Sequence, residues 1–164
     1  IPLFEALMNK HTTIPQFAYR LGDCCLKAGE FDQAIACFEK MVQSNRSDQI
    51  ALFQLGLAYA KKGENDRALE VFRQLLELNP GHVAAHYRGG TLLSSKGKHD
   101  DAVRQFQKAV ELNPNVPAIH QALATCLENK GDYRESLQSI RRALLLIKQG
   151  HQTENRLEQE MFPN

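Results

Sequence analysis

The sequence predicts an all-α fold, an α-solenoid of about four helix-turn-helix repeats with flanking N-terminal and C-terminal helices, and three periodicities predict it. Gly29, Gly63, Gly97 and Gly131 stand 34 residues apart, and the same interval separates Phe38, Phe72 and Phe106 and also Ala34, Ala68 and Ala102. A helix stop, a large apolar residue and a small one recurring in one register describe a two-helix unit with a fixed crossing point. Each unit of such an array touches only its neighbours, so the core of this 164-residue chain is a strip rather than a ball.

Residues 1–14 are too few for a whole unit, yet Leu3, Phe4 and Leu7 make an apolar face at helical spacing. They predict an N-terminal helix or the remnant of a preceding repeat, with His11-Thr12-Thr13 as its exit. The first repeat, 15–48, opens on Pro15, whose missing N–H is harmless in a first turn, and continues with an apolar face of Phe17, Leu21 and Cys25. Gly29 ends its first helix because glycine adopts the left-handed conformation without a Cβ penalty. Asp32 opens the second helix at the positive end of its dipole, and Ala34, Ile35, Phe38 and Met41 are its predicted core. The second repeat, 49–82, and the third, 83–116, close on Asn79-Pro80-Gly81 and Asn113-Pro114, where proline stops one helix and turns the chain into the next. Gly56 and Ala68 are the small residues that let the two helices of a unit cross closely, and in the fourth repeat, 117–150, Ala124 and Ser136 take those places. That repeat has Lys148 where a proline would stand, so its second helix runs on to Gly150. Residues 151–164 then predict a capping helix, N-capped by Thr153 and carrying an apolar stripe of Leu157 and Met161.

The stretch QIALFQLGLAYAKKGENDRALEVFRQLLELNPGH, residues 49–82, resembles one tetratricopeptide repeat (TPR). It carries Leu52, Leu55-Gly56, Tyr59, Ala68, Phe72 and Pro80 where that family's W-x-x-L-G-x-x-Y, A-x-x-x-F and P pattern places them. The resemblance implies a right-handed superhelix whose concave side is lined by the first helix of each repeat. It also implies that the second, fifth, ninth, twelfth and thirteenth residues of a repeat face that groove. By this correspondence Tyr19, Phe53 and Tyr87 form an aromatic ladder with Gln121 as its next rung. Asp23, Leu57, Lys61, Arg88 and Thr91 complete the candidate peptide-binding residues. Leu57 stands where the family usually has a polar residue, and an apolar side chain on a solvated face invites a cover. Gly89-Gly90 departs from the family's leucine and predicts a first helix loosened beside a larger neighbour.

Several function classes fall away. Twenty Lys and Arg against 19 Asp and Glu give a net charge of +1, which does not suit a protein held to nucleic acid by phosphate neutralisation. No apolar run approaches the roughly 20 residues that span a bilayer. Cys24, Cys25, Cys37 and Cys126 lack both a C-x-x-C spacing and a histidine at ligand distance. They predict reduced packing cysteines, one of the adjacent pair more exposed than the other, and a cytoplasmic location. No phosphate-binding loop, dinucleotide fingerprint, zincin helix or serine elbow occurs, so no catalytic residue, metal or cofactor is expected. His99-Asp100-Asp101 reads as a helix start in which Asp100 repeats Asp32 and Asp66. His86 and His120, 34 residues apart, read as half-buried fillers rather than metal ligands.

The chaperone-tail-binding members of the family grip two carboxylates with lysine, asparagine and arginine at five fixed positions. Here those positions hold Tyr19, Asp23, Gln54, Ala84 and Arg88, and starting one repeat later they hold Phe53, Leu57, Arg88, Ala118 and Ala122. Only Arg88 matches, so no carboxylate clamp is expected. The resemblance thus implies a non-catalytic protein-protein interaction module or adaptor that binds an apolar peptide or short helix in its groove. A self-assembling scaffold that associates through its terminal helices is the alternative, as is the repeat part of a larger multidomain protein.

Overall fold

Four glycines at positive φ punctuate the chain: Gly29 (80°), Gly63 (89°), Gly97 (72°) and Gly131 (90°). The computed structural model describes residues 15–161, with side chains described for 17–150. The helix expected over 1–14 lies outside the described residues. Among the described residues there are eight helices and no strand, and the chain divides into two units between Pro80 and Gly81. The first unit holds α1 (Pro15–Ala28), α2 (Phe31–Ser44), α3 (Gln49–Lys62) and α4 (Asn65–Leu78). The second holds α5 (Val83–Ser95), α6 (His99–Leu112), α7 (Pro117–Lys130) and α8 (Tyr133–Met161). Within each unit every helix packs on the next in sequence.

Each positive-φ glycine follows the first helix of a pair. After α3 the N–H of Glu64 donates to the carbonyl of Tyr59 at 2.9 Å and that of Gly63 donates to Ala60 at 3.1 Å, the paired bonds of a Schellman turn. A Cβ at any of these four glycines would meet nothing within 4 Å, so the left-handed backbone, not lack of space, requires glycine there.

A second glycine set answers to the opposite constraint. A Cβ at Gly22, Gly56 or Gly90 would lie 2.4, 2.6 or 2.8 Å from the ring of Phe38, Phe72 or Phe106. These rings are among the largest fully or nearly fully buried side chains, and burying each contributes about 1.5–3 kcal/mol. In the last pair the register of the phenylalanines holds Ile140 and that of the glycines holds Ala124. There the smaller partner goes with a residue that has a Cβ.

The requirement that Gly22 face Phe38 also sets the rotation of α1. The apolar face expected at Phe17, Leu21 and Cys25 is corrected accordingly: Ala18, Gly22, Cys25 and Leu26 turn inward, while Phe17 is 63% exposed. In α2 the expected core of Ala34, Ile35, Phe38 and Met41 is buried, joined by Cys37. A second correction concerns the C-terminus. Helix α8 is 29 residues long against 14 for α2, α4 and α6, and it passes through Gly150 without a break. No separate helix begins at Thr153. Lys148 keeps the N–H that a proline would lack, and one interior glycine costs only about 1 kcal/mol, too little to end a helix. The side chains of Leu157 and Met161 lie outside the described ones.

Gly89 and Gly90 are both buried in α5, yet a Cβ at Gly89 would meet nothing within 4 Å. Gly90 is therefore the residue held small by its larger neighbour. Opposite outcomes are expected for the two alanine substitutions in urea unfolding. Gly89→Ala should gain up to about 1 kcal/mol from helix propensity, and Gly90→Ala should lose about 1–3 kcal/mol from overpacking against Phe106.

Candidate functional site

In the first unit the candidate residues lie on α1 and α3. Tyr19 is half-buried, and its hydroxyl donates to the carboxylate of Asp48, which also caps α3 by accepting from the Ala51 N–H at 3.0 Å. Burial, followed by this carboxylate, holds the Tyr19 phenol well above its ordinary range. Asp23 is paired with Lys27 at 2.7 Å. On α3 the apolar residues Ile50, Phe53 and Leu57 follow one another at spacings of 3 and 4, with Ile50 63% exposed, the other two half-buried and Lys61 exposed beyond them. Phe53 leans on Phe72 with ring centroids 5.9 Å apart, so part of its ring is structural.

In the second unit α5 brings Tyr87, Arg88 and Thr91 together. Tyr87 packs on Phe106 at 6.0 Å, the Arg88 guanidinium lies 5.8 Å over the Tyr87 ring, and the Thr91 hydroxyl donates to the Tyr87 carbonyl at 2.9 Å. Gln121 is exposed on α7. Each unit thus presents part of the candidate set: Tyr19, Asp23, Phe53, Leu57 and Lys61 in the first, and Tyr87, Arg88, Thr91 and Gln121 in the second.

The two histidines are committed to structure. The Pro114 carbonyl can only accept, so the Nε2–H of His120 donates to it at 2.9 Å, and Nδ1 of His86 lies 2.8 Å from the Gln105 side-chain oxygen. Among the described residues no three His, Cys, Asp or Glu side chains are grouped to hold a metal. Cys25, Cys37 and Cys126 are buried and Cys24 is exposed, all as free thiols. Burial pushes the Cys37 thiol up to about 11, away from the reactive thiolate. A cavity of about 720 Å³ in the second unit is lined by Lys98, His99, Asp100, Arg104, Lys130 and Asp132 among others. Its charges are largely spent on one another, with Lys130 at 3.1 Å from Asp100 and 2.9 Å from Asp132.

Sequence reasoning missed the polar ties between successive helix pairs. Lys62 at the end of α3 reaches Asp32 and Glu64 at 2.6 Å each, just as Lys130 at the end of α7 reaches Asp100 and Asp132. The Tyr59 hydroxyl donates from α3 to the Glu39 carboxylate on α2. The 68-residue interval between the two lysines and between Asp32 and Asp100 was the available signal.

One tetratricopeptide repeat profile matches residues 1–50, 19–83 and 53–93, and a second matches 93–149. The chain belongs to the tetratricopeptide repeat family. The all-α TPR fold is also that of MamA in solved structures. One MamA structure is 24% identical over 82% of this chain and 79% of its own, with a TM-score of 0.78. MamA of MSR-1 is 27% identical over 81% of this chain and 76% of its own, with a TM-score of 0.72. MamA from Desulfovibrio magneticus RS-1 is 24% identical over 82% and 77%, with a TM-score of 0.74. No curated protein matches the chain. As a TPR protein it is a protein-protein interaction module, and among the described residues no helix is long and apolar enough to cross a membrane.

The Tyr59–Glu39 tie makes a pH prediction. Burial first, then the Glu39 carboxylate, push the Tyr59 phenol from 10.0 up to about 12. The folded state therefore keeps this proton after the unfolded chain has lost it. The contribution to stability is present below pH 10.0 and is lost as pH rises through about 12. Tyr59→Phe should flatten the alkaline fall of the urea midpoint over that interval and remove one late-titrating tyrosinate from the absorbance, leaving that of Tyr19.

Proposed function

We propose that this TPR module is a non-catalytic adaptor whose first-helix faces bind an apolar peptide or short helix of a partner protein. The observation that carries the reading is the stripe of Ile50, Phe53 and Leu57 on α3, three apolar side chains that keep exposed surface on a helix whose other face is packed. In the second unit, taken by itself, Tyr87 with Arg88 stacked on it presents an aromatic side chain of the type that dominates recognition of peptides. The absence of the clamp lysines and asparagines, and the negative charge of Asp23, which also takes up Lys27, disfavour an acidic chain terminus as ligand. The domain organisation we propose is the one read from the periodicity, with repeats over 15–48, 49–82, 83–116 and 117–150. Buried free thiols suit a reducing, cytoplasmic setting.

Affinity capture from source-cell lysate with the wild type and Leu57→Glu tests the reading, once circular dichroism shows equal helicity. The expected result is a partner retained by the wild type and lost by the variant. Isothermal titration of the captured segment should then show at least about a ten-fold weakening, or 1.4 kcal/mol. Equal retention by both proteins would remove the α3 stripe from the site. Tight binding of an acidic C-terminal pentapeptide that depended on its terminal carboxylate would overturn the preference for apolar segments.

A further inference from the structure

Helix α8 carries a second uncovered face, and its charges say what covers it. Tyr133, Leu137, Ile140, Leu144 and Ile147 follow one another at spacings of 4, 3, 4 and 3, the seam of a helix that packs along another helix. Leu137 is 48% exposed and Leu144 61%, and Tyr133 and Ile147 are also exposed. The register position of Leu137 is covered on α2 and α6. Ile35 on α2 and Val103 on α6, in the register of Leu137, are 8% and 7% exposed, and Val103 packs with Leu123 and Leu127 of α7. The face of α8 is therefore built like the faces that α2 and α6 present to α3 and α7.

The charges along its outer flank differ from theirs. Asp32 on α2 and Asp100 on α6 receive Lys62 and Lys130 from the end of the following helix. In that register α8 has Arg134. Glu39 on α2 accepts from Tyr59; in its register α4 has Arg73, α6 Gln107 and α8 Arg141. Lys148 continues the row seven residues on, and all three side chains are exposed. The opposite flank is occupied, since Ser136 and Ala143 are buried. A helix arriving here thus meets an apolar seam bordered by three cations, and a basic residue placed like Lys62 or Lys130 would be repelled. The first helix of a second copy is poorly matched to it, because α1 offers only Asp23 as an acid and that is already paired with Lys27.

We infer that α8 docks an amphipathic helix of a partner protein whose apolar face is flanked by acidic residues. This face lies on a different helix from the α3 stripe, so the proposal stands whether or not that stripe binds peptide. The interaction has the form of helix-on-helix recognition, with the seam supplying affinity and the cations supplying orientation and selection.

The test is a fluorescence anisotropy titration of the full chain with a labelled synthetic amphipathic helix, leucine along one face and glutamate on its flanks, against the same peptide with lysine for glutamate. The glutamate peptide is expected to bind at least about ten-fold more tightly, with the preference weakening as salt is raised. The double variant Arg134→Glu/Arg141→Glu should reverse that preference, and Leu144→Glu should abolish binding of both peptides. The titrations are made in a Leu57→Glu background, which removes any contribution of the α3 stripe to binding of the peptides. Equal binding of the two peptides, or a preference that survives the double charge reversal, would overturn the proposal. So would sedimentation data showing that the free chain dimerises and that Leu144→Glu makes it monomeric, since the occupant would then be a second copy.

Discussion

The structure depends on a phenylalanine ring laid against a glycine. In three successive helix pairs the second helix drives Phe38, Phe72 or Phe106 so close to the first that no Cβ fits beneath the ring at Gly22, Gly56 or Gly90. Two helices can approach this closely only where one of them has no side chain. The ring then fills what would otherwise be a void, and the density of the strip-like core follows from that fit. The rotation of α1 and the exposure of Phe17 on its other side are consequences. So is the position of Phe53 and Tyr87, which lean on the outer edges of Phe72 and Phe106 and are carried to the surface by them. The aromatic residues proposed to meet a partner are in this sense an extension of the packing.

Polar ties between successive pairs are of a different kind. Lys62 and Lys130 are largely exposed at the chain's turns, where single ion pairs contribute little, but each holds two carboxylates at once. They mark register rather than supply stability, because each lysine reaches Asp32 or Asp100 on the preceding helix while its second acid, two residues on, stays in the same turn. Tyr59 and Glu39 add a third mark in a drier place, where Tyr59 is buried. Apolar contact decides that consecutive helices pack. These marks decide how far along one another they sit.

Most of the fold was legible because a 34-residue period repeats each local decision, so the sequence states it several times. The helix stops at Gly29, Gly63, Gly97 and Gly131 and the buried set of α2 follow directly from residue type and spacing. What was not legible was the rotation of α1, since Phe17, Leu21 and Cys25 and the true inner face of Ala18, Gly22, Cys25 and Leu26 are both apolar at helical spacing. Only the ring of Phe38, 16 residues on, chooses between them. The continuation of α8 was hidden for a related reason: Gly150 is a common stop residue, but it stops a helix only when the backbone beyond it has somewhere else to go. Of the candidate residues, Leu57 stands out in the sequence by its departure from polarity and Phe53 as a rung of the aromatic ladder, whereas Ile50, exposed on the same stripe, was not singled out. The sequence concealed that Tyr19 is already engaged, because Asp48 lies 29 residues away, whereas the Asp23–Lys27 pair at i,i+4 on one helix was within reach of the spacing.

In a repeat protein, function is written in the departures from the period, and the departures here sort by cause. Gly90 in the register of Gly22 and Gly56 is no departure, since the ring of Phe106 requires it. Ala124 with Ile140 is a compensated one, a Cβ gained where a ring is lost. Arg134 in the register of Asp32, Asp66 and Asp100 has no such compensation within its own unit. A single reversal of sign on a solvated helix would need no explanation, since exposed charges vary at little cost. This one stands beside an apolar seam left uncovered on the same helix, with Arg141 and Lys148 extending it along the same edge. A surface that must stay soluble alone and be chosen by one kind of partner satisfies both demands with that pattern: the cations keep the bare seam hydrated and repel basic helices, while an acidic flank turns the same charges into attraction.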